Sequence, residues 1–229
     1  MKIVFVGDSL VSCTNVALAA TWPEIAAKKL GFTAVNHAAG GRLTILMRGM
    51  FCSDALAEAP DGVFIQCGIN DVLLDEPLEK MKENICVTLD TAKEGGIPLI
   101  MLGSPILARP ESTEKGWQLP SEFAKHDAAL KAYRQFLKQE AARRDLPFFD
   151  MEAVFEAIQE KASENLLVDG IHPNEKGYAA LADAFVDFFR LYGRSCMSRD
   201  VYRHDKVCHA QDGQFSGSSF WRYPDGLDG

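Results

Sequence analysis

The chain has 229 residues, 47% of them hydrophobic and 24% charged, and its formal net charge is -8. This length and balance are typical of a globular domain with a substantial core. The acidic charge, with no basic stripe in the sequence, argues against a nucleic-acid partner. Because the apolar runs are too short to span a bilayer and the N-terminus does not resemble a signal peptide, we expect no membrane partner and a cytoplasmic protein.

The six cysteines lack the spacing of a zinc site, and most of them fall in apolar stretches. Such cysteines are usually reduced and buried in a cytoplasmic protein. The sequence therefore predicts no metal centre and no disulfide framework from Cys13, Cys52, Cys67, Cys86, Cys196 and Cys208.

The first ten residues organise the rest of the chain. Residues 2–6 (KIVFV) form a short apolar run typical of a buried strand, and Gly7-Asp8-Ser9-Leu10 follows directly. Glycine permits a tight turn, and Asp8 and Ser9 are turn and helix-cap residues. Ser9 should therefore lie at the carboxyl edge of a sheet, above a helix N-terminus. Two roles are open for it at this point, helix cap or nucleophile.

Strand-like and helix-like segments alternate along the chain. Apolar and β-branched runs predict five strands, at 2–6, 32–36, 62–66, 97–102 and 147–149. Helical periodicity with stop signals predicts helices at 22–30 (with Thr21 as the cap and Gly31 as the stop), 44–57, 77–94, 121–144, 150–162 and 175–192. Residues 104–120 are a long connection with prolines and mixed charge.

This alternation predicts an α/β fold, a parallel sheet with helices on both faces. The strand order 2-1-3-4-5 is the natural choice for five such strands. It makes the loops after the first three strands neighbours at one edge of the sheet. Those loops carry Ser9, Gly41 and Asn70.

A second polar motif, Asp169-Gly170-Ile171-His172-Pro173, precedes the last helix. Asp169 and His172 can converge if the loop bends, and Gly170 and Pro173 favour a bend. The carboxylate would then hold one ring nitrogen of the histidine while the other reaches a hydroxyl. On its own, this motif is weak evidence for a catalytic pair, because a solvated histidine in a loop would give the same pattern.

The four motifs together resemble the SGNH (GDSL-type) hydrolase family of esterases and lipases. The resemblance covers about residues 2–190 and rests on four blocks in order: Gly7-Asp8-Ser9-Leu10, the glycine-containing stretch from Asn36 to Arg42, Gly68-Ile69-Asn70-Asp71, and Asp169-Gly170-Ile171-His172. It implies a flavodoxin-like three-layer α/β/α sandwich, in agreement with the predicted topology. It also implies a hydrolase domain over residues 1–192.

The resemblance assigns roles to individual residues. It implies Ser9 as the nucleophile and His172 and Asp169 as the other catalytic residues. It implies an oxyanion hole formed by the backbone N–H groups of Ser9 and Gly41 and the side-chain amide of Asn70. Gly40 competes with Gly41, which we prefer for its spacing from Asn36. Asp8 and Asp71 are expected to brace the loops, and no cofactor or metal is required.

The activity implied is hydrolysis of a small soluble ester or an acetylated carbohydrate. A catalytically idle module that binds an acyl or glycan ligand is an alternative on the same fold. An O-acyltransferase is another, since the same residues can pass an acyl group to an alcohol.

Residues 193–229 differ from the rest of the chain and lie outside the resemblance. They lack helical periodicity but contain several aromatic residues. Three roles are open for this C-terminal extension: draping over the domain, forming a homo-oligomer with a second copy, or remaining mobile. His204, Cys208 and His209 are close in sequence, but no fourth metal ligand is evident.

Overall fold

A computed structural model of the chain describes residues 1–197, and the side chains as far as residue 192. Five parallel strands form one sheet in the order β2-β1-β3-β4-β5, which confirms the predicted topology. The strands are β1 (Lys2–Val6), β2 (Thr33–Asn36), β3 (Gly62–Ile65), β4 (Leu99–Gly103) and β5 (Phe148–Phe149). Strand β1 lies between β2 and β3, so the chain reverses its direction of travel across the sheet there.

Helices cover both faces of the sheet. The described helices are α1 (Ser9–Ser12), α2 (Trp22–Leu30), α3 (Thr44–Asp54), α4 (Ile69–Leu73), α5 (Leu78–Glu94), α6 (Glu111–Glu114), α7 (Phe123–Arg144), α8 (Met151–Gln159) and α9 (Glu175–Met197). Helices α2 and α9 pack against each other, and α5 packs against both α3 and α7. Two short 3₁₀ turns lie at Leu18–Ala20 and Leu56–Glu58.

The ends of α2 show where local sequence signals succeed and fail. Gly31 ends the helix in the left-handed region, with φ 73°, as its sequence position predicts. Thr21 occupies the N-cap position, but its hydroxyl donates instead to the carbonyl of Leu18 at 2.8 Å. The predicted side-chain cap was therefore wrong. The preceding 3₁₀ turn offers the hydroxyl a competing acceptor.

The last helix is longer than predicted. Helix α9 continues through Gly193 to Met197, beyond its predicted end near Tyr192. One glycine inside a long helix costs only about 1 kcal/mol and does not terminate it. The proposed roles of the C-terminal extension, including its oligomeric contact and its histidines and cysteines, concern residues that lie outside the described part beyond 197.

An aromatic cluster fills the core between the sheet and α2 and α9. Trp22 of α2 meets Phe5 and Phe64 edge-on, with ring centroids 5.4 Å and 5.3 Å apart. Phe185 of α9 packs on Trp22 at 5.0 Å. The Trp22 indole N–H also donates to the carbonyl of Leu10 at 2.9 Å. The core is thereby tied directly to α1, the short helix that begins with Ser9. Among the described residues, the helices are too short or too polar to cross a membrane.

Gly7, between β1 and α1, has no room for a side chain. A Cβ there would lie 2.3 Å from the carbonyl oxygen of Gln66 and 2.9 Å from Val11. We expect Gly7→Ala to lower the free energy of unfolding by about 1–3 kcal/mol, because backbone must move to relieve the contact. Urea unfolding followed by circular dichroism measures this change.

Gly49, an exposed glycine inside α3, provides the matched control. Nothing lies within 4 Å of a Cβ built there. Gly49→Ala should therefore raise the free energy of unfolding, by about 0.5–1 kcal/mol, since alanine favours a helix. Equal effects of the two substitutions would contradict the steric argument.

Candidate active site

Ser9 is the first residue of α1, immediately after β1. The carboxylate of Asp8 caps this helix by accepting the N–H of Leu10 at 3.0 Å. The Ser9 hydroxyl is therefore not the helix cap. Its Oγ instead lies 2.7 Å from Nε2 of His172. A residue 163 positions later in the chain thus meets the serine at the carboxyl edge of the sheet.

The loop before α9 bends as the sequence predicted. Leu167 and Pro173 form an isolated antiparallel bridge, and Gly170 at the tip has φ 81°, a conformation that favours glycine. The bend brings Nδ1 of His172 within 2.8 Å of Oδ2 of Asp169. Since the carboxylate only accepts, the ring proton lies on Nδ1, and Nε2 is left to accept the Ser9 hydroxyl proton.

The backbone around Asp169 reinforces this arrangement. Oδ1 accepts the N–H groups of Ile171 and His172, at 3.0 Å and 2.8 Å. Partial burial alone would raise the pKa of Asp169, but the hydrogen bonds from His172 and Ile171 outweigh it and hold the pKa below its usual value. The carboxylate therefore remains ionised beside the imidazole.

The residues expected to form an oxyanion hole lie on three neighbouring loop–helix segments. The Ser9 N–H is in the first turn of α1, where no intrahelical acceptor exists. Gly41 lies in the loop after β2 with φ 72°. In that loop the N–H groups of Ala39 and Arg42 are bonded to backbone carbonyls, whereas those of Gly40 and Gly41 have no acceptor among the described residues. The preference for Gly41 over Gly40 stays a prediction.

Asn70 is the second residue of α4, which follows β3 after a three-residue connection, Gln66 to Gly68. Its Nδ2 donates to the carbonyl of Arg42 at 3.1 Å, rather than bracing its own turn. That bond connects α4 to the loop after β2 that contains Gly40 and Gly41 (the glycine loop), and it fixes the orientation of the amide. The same nitrogen keeps a second N–H, which has no acceptor among the described residues.

Comparison with known proteins places this geometry in a family. Residues 5–180 match the model of the GDSL-like lipase/acylhydrolase family. The chain belongs to this family. A curated relative, an acetylxylan esterase from Geobacillus stearothermophilus, is 28% identical over 212 residues, which cover 81% of this chain and 92% of the relative. Family and relative together support an ester hydrolase.

Solved structures share the fold of this GDSL-like domain. A lipolytic protein of the G-D-S-L family from Desulfitobacterium hafniense has a TM-score of 0.69 and 21% identity, covering 82% of this chain and 98% of that one. A catalytic mutant of an acetylxylan esterase from Geobacillus stearothermophilus has a TM-score of 0.67 and 21% identity, covering 82% and 93%. At these identities the likeness concerns the fold.

Two further acidic residues of the GDSL-like domain brace its loops. Asp71 accepts the backbone N–H of Thr44 at 3.0 Å and its hydroxyl at 2.6 Å, and so satisfies the start of α3. Burial raises the pKa of Asp71. Asp8, fully buried, accepts from Leu10 and, at 3.3 Å, from Nε2 of Gln66. The described residues contain no group of three or more potential metal ligands.

Sequence reasoning missed three residues that support the site. Nδ2 of Asn15 donates to the carbonyl of Pro173 at 2.9 Å and so ties the loop after α1 to the histidine loop. Gln66 contacts Asp8, and the indole N–H of Trp117 donates to Asp169 at 3.0 Å. Only Trp117 had a recognisable signal, a large aromatic residue inside a polar connection. The other two contacts depend on tertiary packing.

The burial of Asp8 predicts a specific pH dependence of stability. Burial raises the pKa of Asp8 from 3.8 to about 6. The folded state therefore holds this proton more strongly than the unfolded state. The resulting stability is present below about pH 4 and is lost as the pH rises through about 6. Asp8→Asn stays neutral, and its amide can donate to Oε1 of Gln66, a buried atom without a partner among the described residues.

Relative to the wild type, Asp8→Asn should therefore gain stability between pH 4 and 7, by up to about 3 kcal/mol. Urea unfolding across this pH range measures the difference. Asp187→Asn, at a side chain that is 79% exposed, is the control and should run parallel to the wild type. A pH-independent difference for Asp8→Asn would contradict the assignment.

Proposed function

We propose that the protein is a serine ester hydrolase that forms an acyl-enzyme on Ser9. The observation that carries the proposal is the continuous hydrogen-bonded chain from the Ser9 hydroxyl to Nε2 of His172, at 2.7 Å, and from Nδ1 to Asp169, at 2.8 Å. A serine hydroxyl is a weak nucleophile unless a neighbouring base accepts its proton. The three residues occupy the geometry that this transfer requires.

In the first half-reaction the Ser9 hydroxyl attacks the ester carbonyl as His172 accepts its proton. The imidazolium then donates that proton to the departing alkoxide, and the acyl group remains on Ser9. Asp169 holds the ring in the tautomer that leaves Nε2 as acceptor and stabilises the imidazolium when it forms. In the second half-reaction a water molecule attacks the acyl carbon as His172 accepts its proton. The bond from the acyl carbon to Ser9 then breaks, His172 returns the proton to the Ser9 oxygen, and the carboxylic acid leaves.

Negative charge on the substrate oxygen needs hydrogen-bond donors at the tetrahedral stage. We assign them as the N–H groups of Ser9 and Gly41 and the second Nδ2 hydrogen of Asn70. The Asn70–Arg42 bond supports this role, because it orients the amide before substrate arrives. The reaction needs no cofactor or metal, since proton transfer and charge stabilisation both come from these groups.

For the substrate we propose a small soluble ester or an acetylated carbohydrate. The acetylxylan esterase relative, which shares 28% identity over most of its length, favours the carbohydrate. Initial rates on acetylated xylo-oligosaccharides and on p-nitrophenyl esters of increasing acyl length test this choice. Fastest turnover with acetyl groups supports it, and fastest turnover with long acyl chains overturns it.

Ser9→Ala should abolish turnover of p-nitrophenyl acetate, by roughly 10⁴-fold or more in kcat, while the protein remains folded. A fluorophosphonate probe followed by peptide mass spectrometry should label Ser9 in the wild type. Ser12→Ala, a change on the same short helix, is the matched control and should retain both activity and labelling. Labelling of another serine, with activity retained in Ser9→Ala, would refute the assignment.

Asn70→Ala separates an oxyanion donor from a structural residue. A donor acts where charge develops, so kcat should fall by roughly 10²- to 10³-fold with little change in KM. Asn84→Ala is the control, because Nδ2 of Asn84 also makes a structural bond, to the Thr44 hydroxyl at 3.1 Å. It should lower the melting temperature without lowering kcat of the folded protein. A merely structural Asn70 would behave as Asn84 does.

The same assays decide between hydrolase and its alternatives. An idle binding module would bind acetylated ligands without turnover and would not react with the probe. An O-acyltransferase would transfer the acetyl group from the acyl-enzyme to an added sugar alcohol faster than to water. Product analysis by mass spectrometry in the presence of unacetylated xylo-oligosaccharide distinguishes the hydrolase from the O-acyltransferase, because it shows whether water or the sugar receives the acetyl group.

A further inference from the structure

Trp117 lies beside the proposed catalytic residues, on a segment of the chain that none of the four family-like blocks includes. Its indole N–H donates to Oδ2 of Asp169 at 3.0 Å, and its ring lies 5.3 Å from the imidazole of His172. The side chain is still 43% exposed, whereas His172 is 9% exposed. Trp117 therefore covers the Asp169–His172 pair from the solvent side.

The indole completes the hydrogen bonding of the carboxylate. Oδ1 of Asp169 accepts two backbone N–H groups, and Oδ2 accepts from His172 and Trp117. An ionised carboxylate has about four acceptor positions, so all of them are occupied. The indole N–H is the one of these four donors that comes from outside the loop of residues 169–172. It connects that loop to the 104–120 connection.

The position of Trp117 is set by its own segment. The Trp117 backbone N–H donates to the carbonyl of Ser112 at 3.0 Å, and the Ser112 hydroxyl accepts Nε2 of Gln118 at 2.7 Å. Oε1 of Gln118 in turn meets Nδ1 of buried His126 on α7 at 2.7 Å. Nε2 of His126 faces Asp75, just after α4, at 3.1 Å. This chain of contacts anchors the tryptophan to the helix that carries Asn70.

A second attachment lies at the start of the same segment. The N–H of Arg109 donates to the carbonyl of Gly170 at 2.7 Å, and its guanidinium pairs with buried Glu152 at 2.9 Å. A Cβ on Gly170 would lie 2.4 Å from the N of Ser112, so the two loops are in close contact. The indole therefore reaches Asp169 from a segment that is anchored both before and after Trp117, at Arg109 and Ser112 against Gly170 and at Gln118 against His126.

We propose that Trp117 is a positioning residue for the reaction: its indole N–H draws part of the negative charge of the Asp169 carboxylate away from His172, and its ring shields the Asp169–His172 hydrogen bond. The inference rests on the proposed function for its effect on rate. Its effect on His172 does not depend on turnover, because the contacts exist in the free protein.

The sign of the effect follows from the charge. A donor on Oδ2 stabilises the anion and withdraws negative charge from the side that faces the imidazole. Without that donor, Oδ2 holds the imidazolium more strongly, so His172 should take up its proton at higher pH. The carboxylate should stay in place, since two backbone N–H groups still bind Oδ1. The other titratable groups that act on the pair are Asp8 with His172 and Tyr178 with Asp169. Neither forms a hydrogen bond or a ring contact with Trp117 among the described residues.

Trp117→Phe removes the donor and keeps an aromatic ring, and Trp117→Ala removes both. The titration of the His172 imidazole, followed by NMR and identified by its loss in His172→Ala, should move to higher pH in Trp117→Phe, by a few tenths of a unit or more. The acid side of the pH profile of kcat/KM should move to higher pH by the same amount. We expect kcat to fall by up to roughly tenfold with KM little changed, because an imidazolium that is held more strongly is a weaker acid toward the departing alkoxide.

Leu119→Ala is the control, since Leu119 is 61% exposed and lies on the same segment. It should leave both the His172 titration and the rates unchanged. Melting temperatures identify any variant that fails to fold, and Trp117→Phe is the variant that preserves packing. An unmoved His172 titration in folded Trp117→Phe overturns the proposal, whether or not the protein turns over esters. If the His172 titration moves in Trp117→Phe but the wild type hydrolyses no ester, the contact is supported and only the proposed function is refuted.

Discussion

The packing of α2 and α9 on the sheet is the constraint on which the hydrogen bond between Ser9 and His172, and with it the candidate active site, depends. That bond joins the end of the first strand to the loop before the last helix, 163 residues apart. It can form only if β1 lies inside the sheet and α9 packs back beneath it. The aromatic cluster of Trp22, Phe5 and Phe185 supplies that packing, and the Trp22 indole ties the cluster to α1. The packing of the core therefore sets the position of the candidate active site.

Each polar group near this bond is supported by a separate partner. Asp8 caps α1, which leaves the Ser9 hydroxyl to His172. Asp71 holds the start of α3, and Asn70 bridges α4 to the glycine loop. Polar groups out of water are costly unless they are hydrogen-bonded, so this division of partners keeps the site stable. The exceptions among the described residues are two buried oxygens without a partner, Oε1 of Gln66 and Oγ of Ser12.

The site is assembled from segments that lie far apart in the chain. Blocks at the ends of β1, β2 and β3 become neighbours because parallel strands in the order β2-β1-β3 share one carboxyl edge. The 104–120 connection adds Trp117, which among the described residues is the hydrogen-bond donor to Asp169 that comes from outside the 169–172 loop. Loops carry this function, and a rigid sheet sets their spacing.

The strands and their order were predictable from the sequence, because most strands are short apolar runs that alternate with helical segments. The residues of the four blocks were identified by their resemblance to a known family. Prediction was less accurate at the ends of helices. The Thr21 hydroxyl bonded to Leu18 instead of capping α2, because the preceding 3₁₀ turn offers a competing acceptor. Helix α9 continued past its predicted end near Tyr192, since one glycine does not terminate a long helix.

By itself, then, the sequence determined the α/β class, the order of the sheet and the chemical identity of Ser9, Asn70, Asp169 and His172. Only the tertiary structure decided which hydrogen bonds those side chains make. It placed the Asp8 cap, the Asn70–Arg42 bridge and the indole of Trp117 on Asp169. The reason is physical: periodicity and turn chemistry act over a few residues, whereas a hydrogen-bond partner is chosen by whichever distant segment the packed core brings within about 3 Å.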